Sequence, residues 1–234
     1  MHIAFDADDT LWHNESVFSL TCERFAELLA DHCEAGELDN KLIETEQRNL
    51  RLYGYGVKGF TLSMLETALE VSAHQIDPAN IQAILDAGKA MLEHPIELLP
   101  GVKNAVIDLA AQHPLMIITK GDLFDQESKI ARSGLSDLFA IIEVVSEKNP
   151  DTYRRILDRH DIAAERFVMV GNSVKSDILP VVAIGGNAVH VPYATTWVLD
   201  RVAHRGARGE GFWQIEHMSE LPAVLDQIAA LGWA

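Results

Sequence analysis

Asp6 and Asp8 stand two residues apart in the segment Phe5-Asp6-Ala7-Asp8-Asp9-Thr10-Leu11, directly after the apolar run His2-Ile3-Ala4-Phe5. Carboxylates placed together repel, and such pairs persist where a hard divalent cation with oxygen ligands holds them. Three further polar clusters follow apolar runs along the chain. Thr119-Lys120-Gly121-Asp122 offers a hydroxyl, backbone N–H groups and a flexible glycine, a combination that can cradle phosphate oxygens. In Ser146-Glu147-Lys148-Asn149-Pro150-Asp151, Lys148 brings positive charge to an otherwise acidic chain. Gly171-Asn172-Ser173-Val174-Lys175-Ser176-Asp177 adds two more oxygen donors, Asn172 and Asp177. Each cluster alone is ambiguous, because an acidic turn, a plain strand-to-helix turn or a solvated lysine looks the same. Four of them in order, each ending a strand-like run, point to one site for an anionic substrate.

The elements that must position these residues are legible as apolar runs of strand length. After His2-Ile3-Ala4-Phe5 they are Leu115-Met116-Ile117-Ile118, Ala140-Ile141-Ile142 with Val144-Val145, Phe167-Val168-Met169-Val170, and Ala188-Val189-His190-Val191. Helical patterns separate them at Val102–Gln112, Leu123–Ser133, Asp151–His160 and Val174–Ile184. This alternation predicts an α/β fold, a Rossmann-like parallel sheet flanked by helices, with ligands at the carboxyl ends of the strands. Residues 14–94 differ: Phe18, Cys22, Phe25, Leu28 and Leu29 follow a helical period, and no buried strand is evident. They are expected to form a small all-helical insert, leaving 1–13 and 95–234 as the core. Inside the insert, Tyr53-Gly54-Tyr55-Gly56-Val57-Lys58-Gly59-Phe60 interrupts the helical pattern with three glycines. Ser219 through Leu231 is expected to be a closing helix with Ser219 as its N-cap.

The bulk properties narrow the partners. Of 234 residues, 19 are basic and 35 acidic, a net charge of −16 that works against nucleic-acid phosphates and anionic membranes. A small diffusible substrate fits better, with a metal ion reversing the local field. No apolar run approaches a membrane span, and Met1-His2 leads directly into a strand-like segment, not a signal peptide. Cys22 and Cys33, eleven residues apart in a helical pattern, cannot bridge within one straight helix. A reducing, cytoplasmic location is expected. The ten histidines show no metal-ligand spacing, so His13, His94 and His190 are read as structural or surface residues. Trp12 fits either an entrance to the site or the core, and Tyr193-Ala194-Thr195-Thr196-Trp197 fits either the pocket edge or packing.

The four clusters resemble, in order, the four motifs of the haloacid dehalogenase superfamily. Phe5-Asp6-Ala7-Asp8-Asp9-Thr10-Leu11 is similar to the first and is the most specific. Thr119 resembles the second, Lys148 the third, and Gly171-Asn172-Ser173 with Asp177 the fourth. The helical insert after the first motif resembles the family's commonest cap. The resemblance implies a magnesium-dependent phosphoric monoester hydrolase acting on a small phosphorylated metabolite through an aspartyl-phosphate. Asp6 would be the nucleophile and Asp8 the general acid and base. Thr119, Lys120 and Lys148 would hold phosphoryl oxygens. Asp6, the Asp8 backbone carbonyl, Asn172 and Asp177 would serve Mg2+, and Tyr53, Tyr55 and Lys58 would contact substrate from the cap. One departure stands out, since the family usually has aspartate where Asn172 lies. An amide still ligates magnesium but carries no charge, so affinity is expected to be weaker, with Asp177 or the neighbouring Asp9 compensating. A phosphomutase or a non-catalytic phosphate-binding relative are the alternatives. Dehalogenation is disfavoured by Asp8, as is phosphonate cleavage, despite Lys58. A response-regulator receiver is disfavoured by topology, because Asp6 ends the first strand.

Overall fold

The computed structural model describes residues 1–195, 197 and 211–231. By contact they form two compact units. One comprises Met1–Glu15, Ile96–Lys120 and the described residues from Gln126 onward; the other comprises Ser16–Pro95 with Gly121–Asp125. The second unit therefore includes a short segment after the second strand that the helical insert, placed at 14–94 by sequence, did not contain.

In the first unit, six parallel strands are ordered β3-β2-β1-β4-β5-β6, with β1 (His2–Phe5), β2 (Leu115–Lys120), β3 (Ile141–Val145), β4 (Phe167–Gly171), β5 (Asn187–His190) and β6 (Phe212–Gln214). Alternating side chains divide between two cores. Ile3, Phe5, Leu115, Ile117, Val168, Val170 and Val189 face one side, against α5 (Val102–Ala110) and α9 (Leu221–Ala230). Ala4, Met116, Ile118, Phe167, Met169 and Ala188 face the other, with Tyr153, Ile156 and Leu157 of α7 (Pro150–Arg159). Burial on both faces explains why these strands read as unbroken apolar runs. Each buried Val, Leu, Ile, Phe or Met among them contributes roughly 1.5–3 kcal/mol. β6 has only three residues and no apolar run of its own, which is why periodicity does not reveal it.

Because β2 and β4 flank β1 on opposite sides, the chain leaves β1 at the switch point of the sheet, where α/β folds bind ligands. Two helices depart from expectation. In place of a helix over Val174–Ile184 there is a wide π turn, Val174–Ile178, followed by the four-residue α8 (Leu179–Val182). Pro180 supplies the reason, since it lacks the N–H that a continuous helix needs and suits a first turn instead. At the C-terminus, Ser219 is not a cap. A 3-10 turn, Met218–Glu220, precedes α9, and Glu220 accepts from the His217 N–H at 2.8 Å in a capping box.

The second unit contains α1 (Glu15–Leu28), α2 (Ala35–Tyr53), α3 (Val57–Val71) and α4 (Pro78–Glu93), together with the opening residues of α6 (Leu123–Arg132). Phe25, Leu29, Leu38, Leu42, Phe60, Met64 and Ile84 build its core. Cys33 lies beyond the end of α1, so the two cysteines do not share one helix. Gly54 and Gly56 take φ of 72° and 111° between α2 and α3, and a Cβ on Gly59 would stand 2.9 Å from the Gly54 carbonyl oxygen. The glycines thus permit both a tight turn and a close backbone approach. Among the described residues, no helix is long and apolar enough to cross a membrane.

Candidate active site

Asp6 leaves the end of β1 with its N–H donating to the Val170 carbonyl of β4 at 2.9 Å. Its side chain and those of Lys148 and Asp177 are buried together. Lys148 Nζ donates to Asp6 Oδ1 and to Asp177 Oδ1, the latter at 2.7 Å. Two carboxylates thus share one ammonium. Burial pushes the Asp6 carboxyl up to about 7; Lys148 opposes that rise, and Asp177 and Asp8 add to it. Desolvation works against the Lys148 charge, but Asp177 and Asp6 overcome it and hold its pKa above the ordinary lysine value. One negative charge is left in excess, which is the electrostatic condition for a cation.

Both Asp177 oxygens are engaged by protein donors. Its Oδ2 accepts from the Ser173 N–H at 3.0 Å while Oδ1 takes Lys148, and the residue is fully buried. In this geometry Asp177 supports Lys148. The wide turn 174–178 folds the Asp177 side chain back against Gly171, where an added Cβ would lie 2.3 Å from Asp177 Oδ2. Gly171→Ala is therefore expected to lower stability by roughly 1–3 kcal/mol through overpacking a carboxylate that cannot move away. Urea denaturation measures it, and a wild-type midpoint would contradict it.

Thr10 joins the remaining oxygens. Its hydroxyl lies 3.3 Å from Asp6 Oδ2 and 3.3 Å from Asn172 Oδ1, and it accepts from the Asn172 N–H at 3.1 Å. One proton serves only one of the two oxygens at a time, so Asp6 Oδ2 and Asn172 Oδ1 converge with lone pairs to spare. His190 supports this arrangement, with Nε2 donating to the Asn172 carbonyl at 3.0 Å. Among the described residues no three His, Cys, Asp or Glu side chains gather to hold a metal ion. The available set is one carboxylate, one amide oxygen and backbone carbonyl oxygen, all hard donors. That suits magnesium, which takes one or two carboxylates and leaves other positions to water and phosphate. Asp9 does not join it. Its carboxylate accepts from the Asn14 N–H at 2.9 Å and the Glu15 N–H at 3.0 Å, capping the start of α1, and burial pushes it up to about 7.

Asp8 faces a different set of donors. Trp12 Nε1 donates to Oδ1 at 2.8 Å and Gln126 Nε2 to Oδ2 at 2.8 Å, while Lys129 Nζ spans both at 3.1 and 3.2 Å. Trp12 is therefore a core residue with its indole N–H turned to the site. Gln126 and Lys129 were not among the residues singled out by sequence. Their types gave no signal, since polar helix residues ordinarily face solvent, whereas in α6 Gln126 and Lys129 are buried.

Thr119 is buried at the end of β2, paired in register with Val144. Lys120 Nζ donates to Ser176 Oγ at 3.0 Å, which ties the second and fourth clusters together. In the second unit, Lys58 pairs with Asp122 at 2.8 Å and lies 5.6 Å from the Phe124 ring centroid. Tyr53 is exposed at the end of α2, and Tyr55 is half-buried. His13 Nδ1 and the Tyr193 hydroxyl are 2.6 Å apart. Thr196, in the segment Tyr193–Trp197, lies outside the described residues.

Fold and site together define a parallel α/β core with a carboxylate–lysine–carboxylate cluster at its switch point. A model of the haloacid dehalogenase-like hydrolase family matches residues 1–185. The chain belongs to that family. A haloacid dehalogenase-like family hydrolase from Xanthomonas campestris is 43% identical, with a TM-score of 0.88 over 99% of this chain and 92% of that one. Two more distant structures share the fold. The HAD-hydrolase YfnB from Bacillus subtilis, bound to magnesium, has 17% identity and a TM-score of 0.68 over 96% of this chain and 98% of its own. A 2-haloacid dehalogenase from Pseudomonas syringae pv. tomato has 24% identity and a TM-score of 0.63 over 97% and 98%. No curated protein sequence matches the chain significantly.

Proposed function

We propose that the protein is a magnesium-dependent phosphatase that hydrolyses a small phosphorylated metabolite through a phosphoryl group carried on Asp6. The observation that carries this reading is the second carboxylate, Asp8, held by three donors two residues from Asp6. A halide leaves carbon without a proton, so a dehalogenase needs no acid for its leaving group. An alkoxide leaving phosphorus needs a proton, and the water that follows must lose one.

Asp6 attacks phosphorus and the bond to the leaving oxygen breaks, with Asp8 delivering a proton to that oxygen. Water then attacks the phosphoryl group, Asp8 takes its proton, and phosphate and Asp6 are released. Lys148 orients the attacking carboxylate by holding Oδ1. Thr119 and Lys120 stand at the end of β2 to meet the phosphoryl oxygens. Magnesium, when bound to Asp6, the Asp8 carbonyl and Asn172, offsets the charge of two approaching anions. The four-helix cap is assigned to selecting the leaving group, with Tyr53, Tyr55 and Lys58 as its contacts. The bound magnesium of the Bacillus subtilis relative is consistent with the metal, and the net charge of −16 favours a small substrate over nucleic acid or membrane.

Hydrolysis of para-nitrophenyl phosphate by the purified protein, with magnesium and with chelator, tests the reading. Turnover that requires magnesium is expected. Chloride release from 2-chloropropionate without phosphatase turnover would overturn it. Asn172→Asp adds a charged ligand and is expected to lower the magnesium concentration giving half-maximal rate several-fold. An unchanged requirement would remove residue 172 from the metal site.

A further inference from the structure

We infer that Lys129, together with Gln126, is a positioning residue for Asp8, fixing its carboxylate for proton transfer; the inference rests on the phosphatase reading. A carboxylate has about four lone-pair sites. Trp12 and Lys129 occupy Oδ1, and Gln126 and Lys129 occupy Oδ2. Trp12 and Gln126, one on each oxygen at 2.8 Å, set the plane of the carboxylate. Lys129 spans both oxygens at the longer distances and also donates to Asn14 Oδ1 at 2.9 Å. Its contact is the one that can slide onto a single oxygen, freeing a position on the other that carries the proton for the leaving oxygen and, once that proton is given up, accepts one from the incoming water.

The cost of this arrangement argues that it serves Asp8. The Gln126 amide is buried, and its Nε2 donates to both Asp8 Oδ2 and the Lys120 carbonyl, which fixes the amide's orientation. Its Oε1 is buried without a hydrogen-bond partner among the described residues. Burying an unsatisfied acceptor is unfavourable. Lys129, likewise buried, gives up the hydration of an ammonium. An apolar pair would fill this face of α6 at less expense if packing were its only task. Both residues instead place their donors on the one carboxylate that the proposed chemistry moves protons through.

Two measurements decide the matter. The first needs no turnover. Of the four tryptophan indole N–H resonances expected from the sequence, that of Trp12 is identified by its loss in Trp12→Phe. Asp8→Asn and Lys129→Met are each expected to shift it, and the double variant no further than Asp8→Asn alone. A Trp12 resonance unmoved by Lys129→Met overturns the inference. The second is kinetic. On para-nitrophenyl phosphate, Lys129→Met is expected to lower kcat by about 10- to 100-fold, part of the usual general acid–base contribution, with KM changed less than about threefold. Lys129→Arg is expected to recover much of the loss, and Lys129→Met to cost nothing more in an Asp8→Asn background. Wild-type kcat in Lys129→Met, or additive losses in the double variant, overturns it. A wild-type chain with no phosphatase turnover would sink the functional reading, while the indole resonance would still decide whether Lys129 holds Asp8.

Discussion

Asp6→Asn removes the attacking oxygen, and turnover of any phosphate ester is expected to fall by about four orders of magnitude or more, the scale of losing the nucleophile in covalent catalysis. The variant should not fail by unfolding. Asp6 and Asp177 share the Lys148 ammonium, and the Asp6 carboxyl is pushed up to about 7 by burial. A folded pKa above the unfolded value means that stability is lost as pH rises from the unfolded value toward 7. Replacing that carboxyl by a neutral amide relieves the excess charge and leaves Lys148 paired with Asp177. At pH 8 in chelator, Asp6→Asn is therefore expected to melt no lower than wild type. Steady-state rates and a thermal melt on the same preparation check both statements, and residual turnover above about 1% would contradict the nucleophile assignment.

Lys148→Met has the opposite profile, costing both activity and stability. It leaves Asp6 and Asp177 buried without their cation, and removing one partner of a buried ionic cluster typically costs about 3–5 kcal/mol. The sign of the pH dependence follows from the carboxyls. Without Lys148 the Asp6 carboxyl, already raised by burial, loses the cation that opposes the rise, so the variant takes up more protons on folding and grows less stable as pH increases. The deficit against wild type should be larger at pH 8 than at pH 5.5, as measured by urea midpoints in chelator. A deficit independent of pH would indicate lost packing and would count against the shared ammonium. Turnover should also fall, because Asp6 Oδ1 loses the donor that orients it.

The strands that carry the site were legible because a sheet buried on both faces demands continuous apolar runs. Phe5, Ile117 and Val170 fill one side of the sheet and Ala4, Ile118 and Met169 the other. Polar residues directly after such runs must emerge at a common sheet edge, so Asp6, Asp8, Thr119, Lys148 and Asn172 could be singled out from order alone. The family resemblance rested on that order, and the match over residues 1–185 shows the family. The short β6 escaped because three residues carry no period. The π turn escaped because the helical pattern of 174–184 hides the effect of Pro180.

Sequence by itself determined the layered α/β core and which residue types gather at its carboxyl edge, since period and burial are local properties of the chain. Only the tertiary structure decided how each oxygen is spent. Asp177 accepts from Lys148 and Ser173, Asp9 caps α1, Thr10 draws Asp6 and Asn172 together, and Gln126 with Lys129 closes on Asp8 from 118 and 121 residues away. Hydrogen-bond partners are chosen by the directions in which packed elements aim their side chains, and no spacing along the chain encodes those directions.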